Sequence, residues 1–254
     1  MIIHAQNSPS KMKIMFYNIA YGTGLNGSWK QYICQSWRFI WLPLKAMKDM
    51  TEAIKKENPD VLCLAEVDSG SFRNRFRCQA KYLAKRLLLP YYHSQNKYRQ
   101  WSIWRFMTMI RRQHDAILSN KKGQFKKHQL HSGMKKLVQE YIVEGLSIFT
   151  VHLAVLSKRV RKKQLKELAD ILKDCPRPHL VCGDFNIHKG LSELKDFVQS
   201  TGLRRVIKKP TFPTISPTRY LDLFFASPDV KIENAGVIKM GYSDHLPVWV
   251  GVTI

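Results

Sequence analysis

The chain has 254 residues, enough to bury a large core, and its 44% hydrophobic and 24% charged residues exclude a disordered chain. Forty-two Lys and Arg stand against 19 Asp and Glu, a formal net charge of +23, far beyond the modest excess that solubility needs. Such a balance points to anionic surroundings: nucleic acid, an anionic membrane or an acidic protein, beside the plainer reading of a surface that is basic for solubility alone.

Residues 13–18, KIMFYN, form an apolar run closed by Asn18 and the Gly22/Gly24 pair, a buried strand that ends in a loop. An aromatic and basic stretch over 29–47 follows, with Trp29, Trp37, Phe39 and Trp41 among Lys30, Arg38 and Lys45, and its periodicity is ambiguous. Met47, Met50, Ala53 and Ile54 have helical spacing over 45–57, and Asn58-Pro59-Asp60 stops that helix ahead of the strand VLCLAEV, which carries Glu66 at its end. Residues 79–89 read as a helix ending at Pro90. A second aromatic and basic stretch, 98–112, holds Trp101, Trp104 and Phe106.

DAILS, KLVQEYIVE and LSIFTVHLA read as strands, the second alternating like an antiparallel strand with one wet face. His152 ends the third. Ser157 caps a helix running to 174, with Val160, Leu165, Leu168, Ala169 and Leu172 on one face and Lys and Arg on the other. HLVCGDFN is an apolar strand that brings Asp184 and Asn186 into a loop. A helix over 193–201 and the Pro-rich KKPTFPTISPT precede the strand YLDLFFAS, with Asp222, and the final GYSDHLPVWVGVTI, with Asp244 and His245. With no internal repeat or linker, a single domain over 1–254 is expected, α/β or α+β with packed sheets.

The N-terminal MIIHAQNSPSK lacks the apolar run of a secretory signal, and FIWLPL is too short to span a bilayer. A cytoplasmic location is expected, with leaderless secretion left open. Five cysteines without a CxxC pair read as reduced residues. His4, His93, His114, His128, His131, His179 and His188 show no ligand spacing with them, so zinc is not indicated. The basic runs 126–127, 161–163 and 204–205 read as solvated faces.

Asn18, Glu66, His152, Asp184, Asn186, Asp222, Asp244 and His245 all fall at or beside the ends of apolar strands, where sites are built. Any one of them has a plain structural explanation, since Asn and Asp commonly end strands and form turns. Eight in such positions are harder to dismiss. The blocks YN, AEV, VHL, GDFN, LDLFFAS and SDHLP, in this order, resemble the motifs of the endonuclease/exonuclease/phosphatase superfamily over nearly the whole chain. GDFN and SDHLP are specific together, whereas YN or VHL alone is weak.

The resemblance implies a four-layered, deoxyribonuclease I-like sandwich of two mixed β-sheets flanked by helices, and hydrolysis of phosphate esters with Mg²⁺ or Mn²⁺. It implies Glu66, Asn18 and Asp244 as metal ligands, directly or through water, in keeping with the preference of Mg²⁺ for hard oxygen donors. It makes Asp184 the group that orients and deprotonates the attacking water, with Asn186 aligning the water or a phosphate oxygen. His245, held by Asp222, bonds a nonbridging oxygen or helps protonate the leaving group. A His at the position of His152 resembles the general acid of the deoxyribonuclease-like and sphingomyelinase-like branches, which favours a phosphodiester. Where the family often has a small residue and Asn before AILS, this chain has Asp115. That carboxylate is either structural or offset by Arg111, Arg112 or the metal.

A nuclease acting on DNA or RNA is the leading expectation, with a monomer as its form. The alternative is a phospholipid phosphodiesterase or phosphatase at an anionic membrane, with Trp37, Phe39, Trp41 and Leu42 inserted among basic residues. A non-catalytic scaffold is a third reading, opposed by the intact Glu66, Asp184, Asn186, Asp244 and His245. The tryptophans have a simpler explanation too, as a satellite core packed back onto the domain.

Overall fold

Two six-stranded mixed sheets stack face to face, with helices on their outer faces, in the computed structural model, which describes residues 10–96 and 112–254. Apart from Arg112, the second aromatic stretch lies outside the described residues. The first half of the chain supplies β1 (Lys11–Asn18), α1 (Trp29–Cys34), α2 (Leu44–Glu57), β2 (Val61–Asp68), α3 (Gln79–Leu87), β3 (Tyr91–Asn96) and β4 (Gln113–Ser119). The middle supplies β5 (Gln124–Gln129), β6 (Leu137–Val143), β7 (Leu146–His152), α4 (Lys158–Lys173) and β8 (His179–Asp184). Last come α5 (Lys195–Thr201), β9 (Arg204–Arg205), β10 (Asp222–Ala226), β11 (Lys231–Val237) and β12 (Val248–Thr253). The sheet orders are β11-β12-β1-β2-β4-β3 and β5-β6-β7-β8-β10-β9.

The unbroken apolar runs of β1 and β2 follow from burial on both faces. Ile14 and Phe16 join Cys63 in the core between the sheets, while Met15 and Tyr17 turn outward to Met47, Met50 and Ile54 of α2 and to Leu83 of α3. The period-two alternation thus separates two apolar clusters rather than core from water. Ser157 caps α4 as expected, its Oγ accepting from the Val160 amide at 3.3 Å.

Four local readings change. β6 has no wet face, because Gln139 and Glu140 are buried and the Glu140 carboxylate is paired with His128 at 2.7 Å. Arg161 is not part of a solvated face: it is buried, forks onto Glu193 and donates to the carbonyls of Ala154 and Val155. The 79–89 helix stops at Leu87, with Leu88 left-handed at φ 58°. The helix placed at 193–201 divides into a 3₁₀ turn, Leu191–Leu194, and α5.

The topology gathers one end of the sandwich into a site. β1 and β2 are parallel, as are β7 and β8, so Asn18, Glu66, His152 and Asp184 leave their strands at the same end. β10 runs antiparallel to β8 and begins there, which sets Asp222 directly opposite Asp184, while His152 stands opposite Asp184 from β7. The glycine before Asp184 is a packing requirement, since a Cβ on Gly183 would lie 2.0 Å from the Val151 carbonyl oxygen. Among the described residues no helix is long and apolar enough to cross a membrane.

Candidate active site

Asp184 is the centre of the site. Its Oδ2 accepts from Asn18 Nδ2 at 3.1 Å, and its Oδ1 accepts from the Asn186 amide at 3.0 Å. The Nε2 atoms of two histidines face that same Oδ2, His152 at 3.5 Å and His245 at 3.9 Å. Each imidazole has a second carboxylate on its Nδ1 side: Asp222 at 2.8 Å from His245, and Asp115 at 3.7 Å from His152. Thr211 donates to the same Asp222 oxygen at 2.6 Å and orients it.

Glu66 sits in a β-bulge where β2 and β4 lose register between Leu64 and Val67, and its φ of 56° is left-handed. The Asp115 carboxylate accepts from the Glu66 amide at 3.1 Å and so holds the bulge. Asp115 therefore has a structural duty, and the bulge turns the Glu66 carboxylate to within 3.7 Å of His152 Nε2. Asn186 is also left-handed, at φ 51°, with its amide nitrogen donating to the Leu153 carbonyl. Strained backbone at two site residues is what a constellation held against local preference requires.

Complete burial alone would raise the Asp184 carboxyl, but His245, His152 and Lys135 outweigh it, and its pKa falls below the ordinary carboxylate value. At Asp222 burial prevails and the pKa is raised. Burial opposes a charge on His245, yet Asp222, Asp184 and the hydrogen bond to Asp222 raise its pKa to about 10. Of this coupled pair the imidazole holds the proton, because its far nitrogen looks onto a second carboxylate, Asp184.

Asp184, Asp222 and His245 offer ligand atoms within 4.8 Å of one another. The Asp222 to His245 hydrogen bond marks that part of the group as an oriented acid and imidazole. Beside this group lie Glu66, whose side chain is 22% exposed and 3.7 Å from His152, the buried Asn18 amide bonded to Asp184, and Asp244 next to His245 in the chain. Their carboxylate and amide oxygens are donors of the kind that hard divalent cations take. Asn18 Oδ1 also accepts from the Ala20 amide at 3.1 Å, and Asp244 accepts from Tyr32 at 2.5 Å. The structure thus brings all eight predicted residues to one end of the sandwich.

Three contributors escape sequence reasoning. Lys135 comes from the loop before β6 and hydrogen-bonds His152 Nε2, with its ammonium 4.0 Å from Glu66. Tyr32 arrives from the ambiguous aromatic stretch, and Thr211 from the Pro-rich loop. None ends an apolar strand, so no periodicity marks them. The aromatic stretch itself folds as α1 and a 3₁₀ turn, Ser36–Phe39, and its tryptophans are exposed rather than packed into a satellite core. Leu42 does not present itself for insertion, being 2% exposed, and Phe39 is only partly exposed.

Two packed six-stranded mixed sheets flanked by helices have the deoxyribonuclease I-like architecture. The chain belongs to the Endonuclease/Exonuclease/phosphatase family, whose model matches residues 40–245, and whose members hydrolyse phosphoester bonds, generally with a divalent metal. Among solved structures it is similar to a family protein from Bacteroides thetaiotaomicron, with TM-score 0.68 and 16% identity over 97% of this chain and 99% of that one. It is similar to D. rerio TDP2 complexed with single strand DNA product, with TM-score 0.67 and 18% identity over 96% and 100%. A mannosyl-6-phosphatase from B. thetaiotaomicron gives 0.65 and 15% over 96% and 100%. None of the curated proteins matches the chain by sequence. At these identities the likeness establishes the fold.

Proposed function

We propose that the chain is a Mg²⁺- or Mn²⁺-dependent hydrolase of phosphodiester bonds, with a polyanionic or surface-bound substrate. The observation that carries the reading is the convergence of two imidazoles on one oxygen of Asp184, at 3.5 and 3.9 Å. An imidazole beside the reacting centre can protonate a departing alkoxide, whether from a diester or an alkyl monoester, and the +23 charge of the chain favours a polyanionic diester.

Asp184 accepts the proton of the attacking water, and Asn18 and the Asn186 amide keep its carboxylate aimed. His245, protonated and oriented by Asp222 and Thr211, donates from Nε2 to a nonbridging phosphate oxygen, where negative charge builds. His152, hydrogen-bonded to Lys135 and 3.7 Å from Glu66, is the group assigned to protonate the departing oxygen. Glu66, Asp244 and Asn18 are the residues that would hold the divalent ion, which supplies charge neutralisation of the phosphate. Asn186 acts by positioning Asp184.

The net charge suits nucleic acid and anionic membrane alike. Release of product from bis(p-nitrophenyl) phosphate, plasmid DNA, RNA and phospholipid vesicles with Mg²⁺, Mn²⁺ or EDTA, beside Asp184→Ala, tests the reading. Metal-dependent cleavage lost in the variant supports it. Turnover of sugar monophosphates with none of any diester would move the assignment to a phosphatase, and no turnover at all would leave the scaffold reading.

A further inference from the structure

Next to this site lies a surface of opposite character. Of the fifteen large hydrophobic side chains that are exposed among the described residues, six fall within residues 29–44: Trp29, Ile33, Trp37, Ile40, Trp41 and Leu44. Trp29 is 75% exposed, Ile40 61% and Ile33 56%, so these are side chains standing in water rather than the edges of a core. Phe72 and Phe76 extend the same surface, because the Leu42 amide donates to the Arg73 carbonyl at 3.0 Å and the Arg75 guanidinium lies 4.7 Å from the Trp41 ring. Eight exposed hydrophobic side chains from two adjoining segments exceed the scattered apolar groups that a monomer normally shows.

The surface is anchored and does not dangle. Leu42 is buried beneath it, Arg38 Nη1 donates to the Gly24 carbonyl at 3.3 Å, and Tyr32 stacks on Phe39 while its hydroxyl donates to Asp244. That last bond ties α1 to the residue beside His245.

Its charges have one sign. No Asp or Glu occurs from Leu25 to Lys48, a stretch that contains Lys30, Arg38, Lys45 and Lys48, and none occurs from Ser69 to His114. A second copy of this +23 chain would meet that charge unfavourably, and a near-neutral protein would leave the basic side chains uncompensated. An anionic bilayer would meet it favourably, with tryptophans at the headgroup level, aliphatic side chains below and Lys and Arg reaching phosphates. Single-stranded nucleic acid also pairs aromatics with basic residues, but it binds by stacking on π-faces, and Ile33, Ile40 and Leu44 have none.

We propose that residues 29–44, with the turn at 72–76, form a docking face for an anionic phospholipid surface, which presents a lipid phosphodiester to the adjoining site. The choice of substrate rests on the phosphodiesterase reading above; the docking does not. The face keeps Trp37 and Trp41 of the set expected from sequence, but Leu42 is buried and Phe39 only partly exposed, while Trp29, Ile33, Ile40 and Leu44 stand in water.

Cosedimentation of the full chain with phosphatidylcholine vesicles, with and without phosphatidylserine, tests the docking, with tryptophan emission read in parallel. The expected result is binding to the phosphatidylserine vesicles with a blue shift, and binding about tenfold or more weaker in Trp29→Ser/Trp37→Ser and, separately, in Ile40→Glu. Both variants alter side chains in water, and circular dichroism verifies their fold. Equal vesicle binding by wild type and variants would overturn the docking face, leaving charge alone as the attraction. A blue shift with an oligonucleotide and none with vesicles would overturn it in favour of nucleic acid, and no binding to either would overturn it outright. Hydrolysis of bis(p-nitrophenyl) phosphate by the wild-type protein is measured beside these, so that failure of the catalytic reading is seen separately from failure of docking.

Discussion

At Asp244 two regions meet that solve opposite problems. On one side, Asp184, Asp222, His152 and His245 are buried and hydrogen-bonded, each carboxylate paired with an amide or an imidazole. On the other, the 29–44 face leaves three tryptophans in water. Burying charge without partners costs several kcal/mol, so a polar site survives inside a sandwich only as a network whose members fix one another. An apolar surface needs no such network, and its cost in water is recovered only when something covers it. Rigidity belongs to the first and exposure to the second, and substitutions should separate them.

The largest effect is expected at the centre of the buried network. Asp184→Asn keeps the shape and removes the base, and hydrolysis of any diester should fall about 10³-fold or more while the folded state persists. A rate within tenfold of wild type at unchanged thermal stability would falsify the assignment of Asp184 as base.

Next comes the support shared by both regions. Arg73 is 2% exposed, paired with the fully buried Asp68 at 2.7 Å, and it lies 4.3 Å from the Tyr21 ring. The same Asp68 accepts from the Gly70 and Ser71 amides and so builds the turn that carries Phe72, Phe76 and Arg75. Arg73→Met should lower stability by about 3 to 5 kcal/mol, because Asp68 is left charged and buried. Urea unfolding measures this, and a loss near zero would mean that the turn stands without the pair.

A smaller effect depends on pH. His114 is held neutral, its pKa lowered to about 4, mainly by burial. An unfolded chain takes up that proton near pH 6.5, so the folded state binds fewer protons between the two values. Stability is therefore full above about pH 6.5 and declines as pH falls toward 4, and His114→Gln should flatten part of that decline in urea midpoints taken across the range. The same slope in the variant as in wild type would assign the decline to other groups.

The smallest effect is expected on the exposed face. Trp29→Ser should change unfolding free energy by no more than about 0.5 kcal/mol, because that side chain contributes little to the core. A loss of several kcal/mol would return the tryptophans to the satellite-core reading.

How much was legible beforehand follows from where each residue gets its constraint. Asn18, Glu66, His152, Asp184 and Asp222 each terminate or interrupt an apolar strand, a signal that lies within a few residues of chain. The parallel pairs β1/β2 and β7/β8 could not be read locally, yet they are what sends those strand ends to one side. The bulge at Glu66 was invisible because it arises from a mismatch between β2 and β4, segments about fifty residues apart in sequence. Arg161 reads as part of a solvated charge run because Lys and Arg look alike there, while within 161–163 Arg161 alone meets Glu193.

By itself, then, the sequence determined the buried strands, most helices and the chemical types at the site, because apolar periodicity and polar termination are local properties of a chain, whereas the edge strands β3, β5, β9 and β11 are too exposed to carry that signal. Tertiary structure decided the rest: that Asp115 serves the Glu66 bulge, that Lys135 joins His152, and that the 29–44 stretch turns its tryptophans outward. The first two are contacts between segments separated in the chain, and the third depends on how much core is left for an aromatic ring, so no local pattern encodes them.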